Sequence, residues 1–410
     1  MFRLQRHVYR GFLFVAWCGG LMLFCLAVNA ADHLEASNSL LPENHDPKAA
    51  GDRVLRETVT ITGAKVKGAH DSDFIIAGGK AYVVFMANDR QAGEDPTWPF
   101  VYCALNVVDL ATRQVEQSIT FAAGEHEYSN AALPPGACFV PRILQHSATT
   151  LRCFFASEQP GIRQSQVWRI DYDVTKRDFA WRIDPVELET STGAVPLQPQ
   201  SFHDEATAHG LTRAPSDYGV YMIDSFKNFD GAWHAVLNNF PSGQLAWARL
   251  DENHERFTVL GNFFLPNDKK TTESAVERLP NGSWLAVSRQ EDGDRNCLFS
   301  ESPDGTRWKP HAARSVITNG TNSKTILHRF GDVYYLGWQE ATQIDGVGRS
   351  VFNVDVSRDG RSWRRKYRFE TPRSFQYPVF REHLGTIYFT VTQGDTDPSR
   401  KERIMFGVLE

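Results

Sequence analysis

Residues 271–308, TTESAVERLPNGSWLAVSRQEDGDRNCLFSESPDGTRW, form the unit from which the fold can be read. Glu273 stands at the head of an alternating apolar run that turns at Pro280-Asn281-Gly282 and returns through Trp284, Leu285, Ala286 and Val287 to Arg289. Alternation broken by a Pro/Asn/Gly turn is the signature of a β-hairpin. A third short strand, Cys297-Leu298-Phe299, then leads into the turn Ser302-Pro303-Asp304-Gly305-Thr306-Arg307-Trp308. The unit recurs over residues 322–363 and ends in Ser357-Arg358-Asp359-Gly360-Arg361-Ser362-Trp363, 55 positions after the first serine. In each turn the Asp can accept from its own backbone amides, Gly supplies a left-handed geometry, and Trp packs back on the sheet. Repeats of about this length, each of four short strands, predict a β-propeller.

The remaining chain divides in the same way. Strands are expected at 72–76, 81–86 and 101–108 (blade one), at 138–144, 151–156 and 167–172 (blade two), and at 202–206, 219–225, 234–237 and 245–250 (blade three). With the two units above and a last blade from Tyr377 through 387–391 to 404–409, the expectation is an all-β fold. It is one domain, 54–410, of six four-stranded antiparallel blades. A strand near residues 57–61 is placed to complete the last sheet, which would remove an exposed edge.

Residues 1–30 read as a signal peptide: Arg3, Arg6 and Arg10 precede the apolar run 11–28, and Val28-Asn29-Ala30 offers small residues for cleavage. An uncleaved anchor is the alternative, because the run approaches spanning length. Residues 31–53, rich in Asn, Asp and Pro, are expected to be a disordered polar segment. A secreted or periplasmic monomer, without stable membrane insertion once cleaved, is the expected form. Removing residues 1–30 takes three Arg and no acid, leaving 41 basic against 49 acidic residues, a balance that argues against a nucleic-acid partner. Four cysteines remain, Cys103, Cys138, Cys153 and Cys297, at no metal-type spacing. Cys138 and Cys153 flank one predicted hairpin and are the candidate disulfide, with buried free thiols as the alternative.

In a propeller the first strand of each blade lines the central channel, so the strand heads converge. The candidates are His70 or Asp71, Phe139, His203 or Asp204, Glu273, Asn322 and Tyr377, with Arg289 and Arg349 able to reach the same mouth. The run His203-Asp204-Glu205-Ala206-Thr207-Ala208-His209 has metal-like residue types. On a strand its odd-spaced members face opposite ways, so surface polar residues are expected rather than a metal site. Trp98, Phe100 and Trp168 can stack on sugar rings or simply pack in the core.

With these residues in place, the chain resembles the sialidase (neuraminidase) superfamily. The two Ser-x-Asp-Gly-x-x-Trp turns are similar to its Asp-box (BNR) repeats, each one residue shorter than the commoner double-glycine form. The ordered series Glu273, Arg289, Arg349, Tyr377 is similar to that family's base, second arginine, third arginine and nucleophile. The resemblance implies a retaining exo-glycosidase that releases a terminal acidic sugar from a glycan without any cofactor or metal. Tyr377 would attack, Glu273 would take its proton, and the general acid would be Asp95, in Arg90-Gln91-Ala92-Gly93-Glu94-Asp95-Pro96, with Glu94 or Asp89 close behind. Arg289 and Arg349 would hold the carboxylate, with His70, His203 and Asn322 completing the binding site. The chain departs from the family at the head of blade one, where His70-Asp71-Ser72-Asp73 replaces the expected Arg-Ile-Pro. Two other readings stay open: a propeller that binds acidic glycans without cutting them, and a lyase that cleaves uronic-acid polymers by β-elimination, using Tyr377 with His70 or His203.

Overall fold

The computed structural model describes residues 40–93, 95–158, 165–210, 219–240, 243–262, 269–395 and 401–409. The expected signal peptide, 1–30, and residues 31–39 lie outside them. No helix among the described residues is long and apolar enough to cross a membrane.

Runs such as Lys80–Asn88 (KAYVVFMAN) and Thr150–Glu158 (TLRCFFASE) are apolar on both faces and almost fully buried. A strand like this must be sandwiched between neighbouring sheets. Six sheets, numbered I to VI in chain order and antiparallel but for one parallel pair in III, Glu187–Thr190 with Arg256–Gly261, supply those neighbours as a propeller. Their inner strands are Gly68–Ala77 (I), Cys138–Gln145 (II), Val220–Met222 (III), Thr271–Arg278 (IV), Ile326–Phe330 (V) and Ser374–His383 (VI). These strands, with Ala232–Asn239 of sheet III, touch one another in cyclic order, and sheet VI meets sheet I.

The expected six four-stranded blades need correcting: five sheets are complete blades of four or more strands. Sheets I, II, V and VI have four strands, sheet III has seven, and sheet IV has three, Thr271–Arg278, Trp284–Gln290 and Leu298–Ser302. Where sheet IV would take a fourth strand, the chain after Ser302 makes only an isolated bridge between Phe299 and Ala312.

Segment 202–206, read above as a strand, belongs to a helix, Pro199–Ala208. Proline at its first position and Ser201 accepting from the Gln198 amide start the helix, and Phe202 and Ala206 face the core of sheet III. The segment expected to be disordered, 31–53, also carries structure: Pro47–Glu57 is a helix capped by Asp46, which accepts from the amides of Lys48 (2.9 Å) and Ala49 (3.0 Å). Ala50 and Val54 join the core with Tyr367 and Phe369, and at Gly51 a Cβ would stand 2.3 Å from the Arg368 carbonyl oxygen. Polar composition concealed a helix whose buried face is narrow. Beyond it, Val59–Thr60 pairs antiparallel with Phe406 and Met405, making the outer edge of sheet VI.

The Ser302 and Ser357 turns are built alike. Each serine Oγ accepts from the glycine amide three residues on (2.9 Å in both), and each Asp carboxylate accepts from the two amides that follow the glycine. Gly305 and Gly360 have φ of +80° and +69°, which a side chain would strain. Cys103, Cys138, Cys153 and Cys297 are all buried free thiols, so the candidate Cys138–Cys153 bridge is absent. Cys138 is paired with Ser157 and Cys153 with Ile143 across the same hairpin, out of register with each other.

Candidate active site

Four of the inner strands are interrupted at the same level by a β-bulge. The register slips between His70 and Asp73, Phe139 and Arg142, Thr272 and Ser274, and Gln376 and Val379. Inside each slip one non-glycine residue adopts a left-handed backbone: Asp71 (φ 50°), Val140 (φ 49°), Glu273 (φ 41°) and Tyr377 (φ 51°). Such a conformation costs on the order of 1–3 kcal/mol and re-aims the side chain away from the pleat. Proline follows two of the bulges, Pro141 and Pro378, where no ladder hydrogen bond is needed from its nitrogen.

The bulges of sheets IV and VI bring Glu273 and Tyr377 together. The Tyr377 hydroxyl donates to Glu273 Oε1, while Arg289 Nη1 donates to Glu273 Oε2 (2.6 Å) and to the Tyr377 oxygen (3.1 Å). Arg289 also pairs with Glu291 at 2.7 Å, and Thr272 fixes that carboxylate. Burial opposes the charge on Arg289, but Glu273 and Glu291 outweigh it and hold the guanidinium protonated. Tyr377 is buried, and desolvation followed by the Glu273 charge pushes its phenol well above its ordinary value. At neutral pH the phenol therefore keeps its proton until something takes it.

Arg349 enters from sheet V with φ 56°. Its Nη1 donates to Gln376 Oε1 (2.6 Å) and its Nη2 to the Asn322 carbonyl (2.7 Å). Among the described residues it has no carboxylate partner, and burial together with repulsion from Arg289 lowers its pKa. A buried guanidinium held by neutral acceptors, with a second cation beside it, favours an incoming anion.

His70 packs its ring 4.3 Å from that of Tyr377, and its Nδ1 lies 3.1 Å from Thr392 Oγ1, with Nε2 unpartnered. Burial, then the charges of Lys401, Arg349, Lys324 and Arg142, lower its pKa well below the usual value, so it is neutral. Asn322 contributes its backbone carbonyl to Arg349. His203 stands on the Pro199–Ala208 helix, which packs on the outer strands Glu187–Thr190 and Arg256–Gly261, and so does not head an inner strand. The inner position in sheet III belongs to Val220–Met222. Asp95 begins a short 3-10 helix, Asp95–Phe100, and its side chain lies outside the described residues. Glu205 and His209 approach to 3.7 Å on the helix, and no three His, Cys, Asp or Glu side chains among the described residues gather as a metal site. Phe100 is exposed under the Arg90 guanidinium, 3.6 Å from its ring centre, while Trp168 packs against the core of sheets I and II.

Two residues that the sequence did not single out, Arg142 and Lys324, gather with Asp71 beside Tyr377. Asp71 accepts from Arg142 Nη2 (2.8 Å) and faces Lys324 Nζ at 3.5 Å, all three being almost wholly buried. Lys324 Nζ is also 5.3 Å from the centre of the Tyr377 ring. Burial and the nearby Arg142 charge lower the Lys324 pKa, against the pull of Asp71. Arg142 follows Pro141 in the bulge of sheet II, and an Arg two residues after a bulge point is the only sequence trace of its role.

Because His70 and His328 are both buried with pKa values well below 6.5, acid should destabilise the fold. Below about pH 6.5 the unfolded chain binds protons that the folded one refuses, so stability falls as pH drops, by up to about 1.4 kcal/mol per pH unit for each histidine. Denaturant titrations at pH 7.5, 6.5 and 5.5 should show this decline, and His70→Gln should make it shallower. An unchanged slope in that variant would remove His70 from the account.

No known family matches the sequence, and no curated protein resembles it detectably. Solved structures do share the fold. A protein of unknown function from Dyadobacter fermentans superposes with a TM-score of 0.62 at 11% identity, over 86% of this chain and 97% of that one. A Trypanosoma rangeli sialidase in complex with sialic acid gives 0.59 at 11% identity, over 90% of this chain and 58% of that one. A Hadza microbial sialidase gives 0.58 at 11% identity, over 84% and 66%. The chain thus spans little more than half of the trypanosomal enzyme, and identities this low show the fold alone.

Proposed function

We propose that the protein is an exported glycoside hydrolase of the sialidase type that releases a terminal acidic sugar with retention of configuration. The observation that carries this reading is the Tyr377 hydroxyl seated on the Glu273 carboxylate, with Arg289 on both. Tyrosine as nucleophile is a known exception among retaining glycosidases. A carboxylate nucleophile would be repelled by the substrate's own carboxylate at the anomeric carbon, and a neutral phenol is not. The phenol is a poor nucleophile while protonated, so its proton passes to Glu273 as the Tyr377 oxygen bonds to the anomeric carbon. The glycosidic oxygen leaves with a proton from a general acid, for which Asp95 remains the sequence candidate. Water then attacks the anomeric carbon, giving one proton back to that general acid, and the displaced Tyr377 recovers its own proton from Glu273. His70-Asp71-Ser72-Asp73 stands where this family's first arginine is expected, and Asp71 in it is already engaged by Arg142, so the carboxylate would rest on Arg349 and Arg289 with His70 beside them.

Turnover of a chromogenic α-sialoside beside an uncharged analogue tests the proposal. Arg349→Lys loses the forked donor pair, and charge-assisted bonds of roughly 1.5–3 kcal/mol imply about a ten- to hundredfold fall in kcat/KM for the acidic substrate. The uncharged analogue should be little affected. Binding of acidic glycans without turnover would instead mark a lectin, and an unsaturated product absorbing in the ultraviolet would mark a lyase. Either result overturns the hydrolase.

A further inference from the structure

The inner strands start at the Tyr377 end of the channel and finish at the opposite face, where a cavity of about 590 Å³ opens. Four consecutive sheets each set one cation in its wall near the end of the inner segment: Lys227 (III), Arg278 (IV), Arg329 (V) and Arg381 (VI). Among the described residues only two carboxylates, Asp230 and Glu277, line the same cavity, in a chain whose formal net charge is −5.

The four cations are not equally engaged. Lys227 is buried, 2.9 Å from Asp224, and donates to the carbonyls of Val276 (2.6 Å) and Leu327 (2.5 Å), joining sheets III, IV and V. Arg381 donates to the Phe74 carbonyl (2.6 Å) and to Asp73 (3.0 Å), joining sheet VI to sheet I. Arg278 pairs with Asp230 at the exposed rim. Arg329 is exposed: its amide donates to Glu277 Oε2 (3.1 Å), while its guanidinium lies 5.4 Å over the Tyr334 ring and pairs with no carboxylate among the described residues. Beside it His328, 5% exposed, lines the cavity with Nε2 unpartnered. Phe229 and Trp233 supply an apolar wall.

We infer that this far mouth binds a small molecule carrying two or more negative charges, a phosphate ester or a polycarboxylate, held by the Arg329 fork with Arg278 and His328 beside it. The volume suits a ligand of sugar or nucleotide size, since small-molecule sites run from about 300 to 1,000 Å³. Lys227 and Arg381 are each tied to a carboxylate, Asp224 and Asp73, so they shape the wall more than they charge it, and the concave wall focuses the field of Arg329. A planar guanidinium takes a phosphate or carboxylate through two parallel donors, which makes Arg329 the anchor. This site is separate from the Tyr377 mouth and does not depend on the hydrolase reading.

Calorimetric titration of the full chain with inorganic pyrophosphate and, in parallel, with citrate tests the inference at low ionic strength. Binding of at least one probe is expected, and the preferred one identifies the headgroup. Arg329→Gln should weaken it by roughly tenfold or more. Asp230→Asn, which removes a competing carboxylate and releases Arg278, should strengthen it, while Tyr377→Phe should leave it unchanged. The Arg329 and Asp230 side chains are exposed, and unchanged melting temperatures would show that the fold is kept. Absence of binding by both probes at millimolar concentration overturns the inference, as does binding that ignores Arg329→Gln or that disappears in Tyr377→Phe.

Discussion

Tyr377→Phe is expected to abolish turnover of an α-sialoside, by roughly 10³- to 10⁶-fold in kcat, while leaving the protein folded. The substitution deletes one oxygen. The ring keeps its place in the core cluster with Phe139 and Tyr221, and its contact with the His70 ring. What is lost is the atom that would form the bond, together with the group that shares Glu273 with Arg289. Removing the hydroxyl leaves Glu273 fully committed to Arg289, so substrate affinity should change little and the loss should fall on kcat. Single-turnover measurements separate the two. A phenylalanine variant that kept more than about a tenth of wild-type kcat would exclude Tyr377 as nucleophile, whatever else the channel does.

Asp71→Asn is expected to cost about 3–5 kcal/mol of stability, the loss typical when one partner of a buried ion pair is removed. Asparagine has nearly the shape of aspartate and tolerates the left-handed backbone at this position, so neither volume nor strain confuses the result. The charge alone disappears. Arg142 and Lys324 then remain buried side by side, with only the more distant Asp224 and Asp73 to offset the charge on Lys324. Urea unfolding should show the shift in midpoint, and Lys324→Met added to Asp71→Asn should recover part of it by removing one of the stranded cations. A loss below about 1 kcal/mol would mean that water reaches the cluster.

The hairpin at 271–290 and the two Ser-x-Asp-Gly turns were legible because they depend on local rules, alternation and turn chemistry that a short window contains. Glu273, Arg289, Arg349 and Tyr377 could be placed in one mouth because their order along the repeats fixes where strand heads meet. The helices Pro47–Glu57 and Pro199–Ala208 were not legible, since each is short and buries only two or three side chains. Placing His203 in the channel failed for that reason: a polar run with two imidazoles reads as a strand head only if the strand exists. The Asp71–Arg142–Lys324 cluster was hidden more deeply. It joins residues from sheets I, II and V, and it depends on bulges whose left-handed backbone at a non-glycine residue leaves no mark in composition. Sheet IV's missing fourth strand was equally silent, because residues 303–325 carry the turn signal but not the alternation that would have extended it.

The pairing of Val59 and Thr60 with the last strand sets a condition on how the molecule is made. During synthesis the first sheets can assemble as they emerge, but the sheet that seals the circle needs residues from both extremes of the sequence. Until residues 405–406 arrive, Val59–Thr60 has no strand to pair with and the channel is a cleft with two unmatched rims. Contacts this distant in sequence form slowly and leave strand edges open meanwhile. A chain stalled a few residues early would carry nearly every side chain described above and still hold its reactive groups in an open arc rather than around an axis.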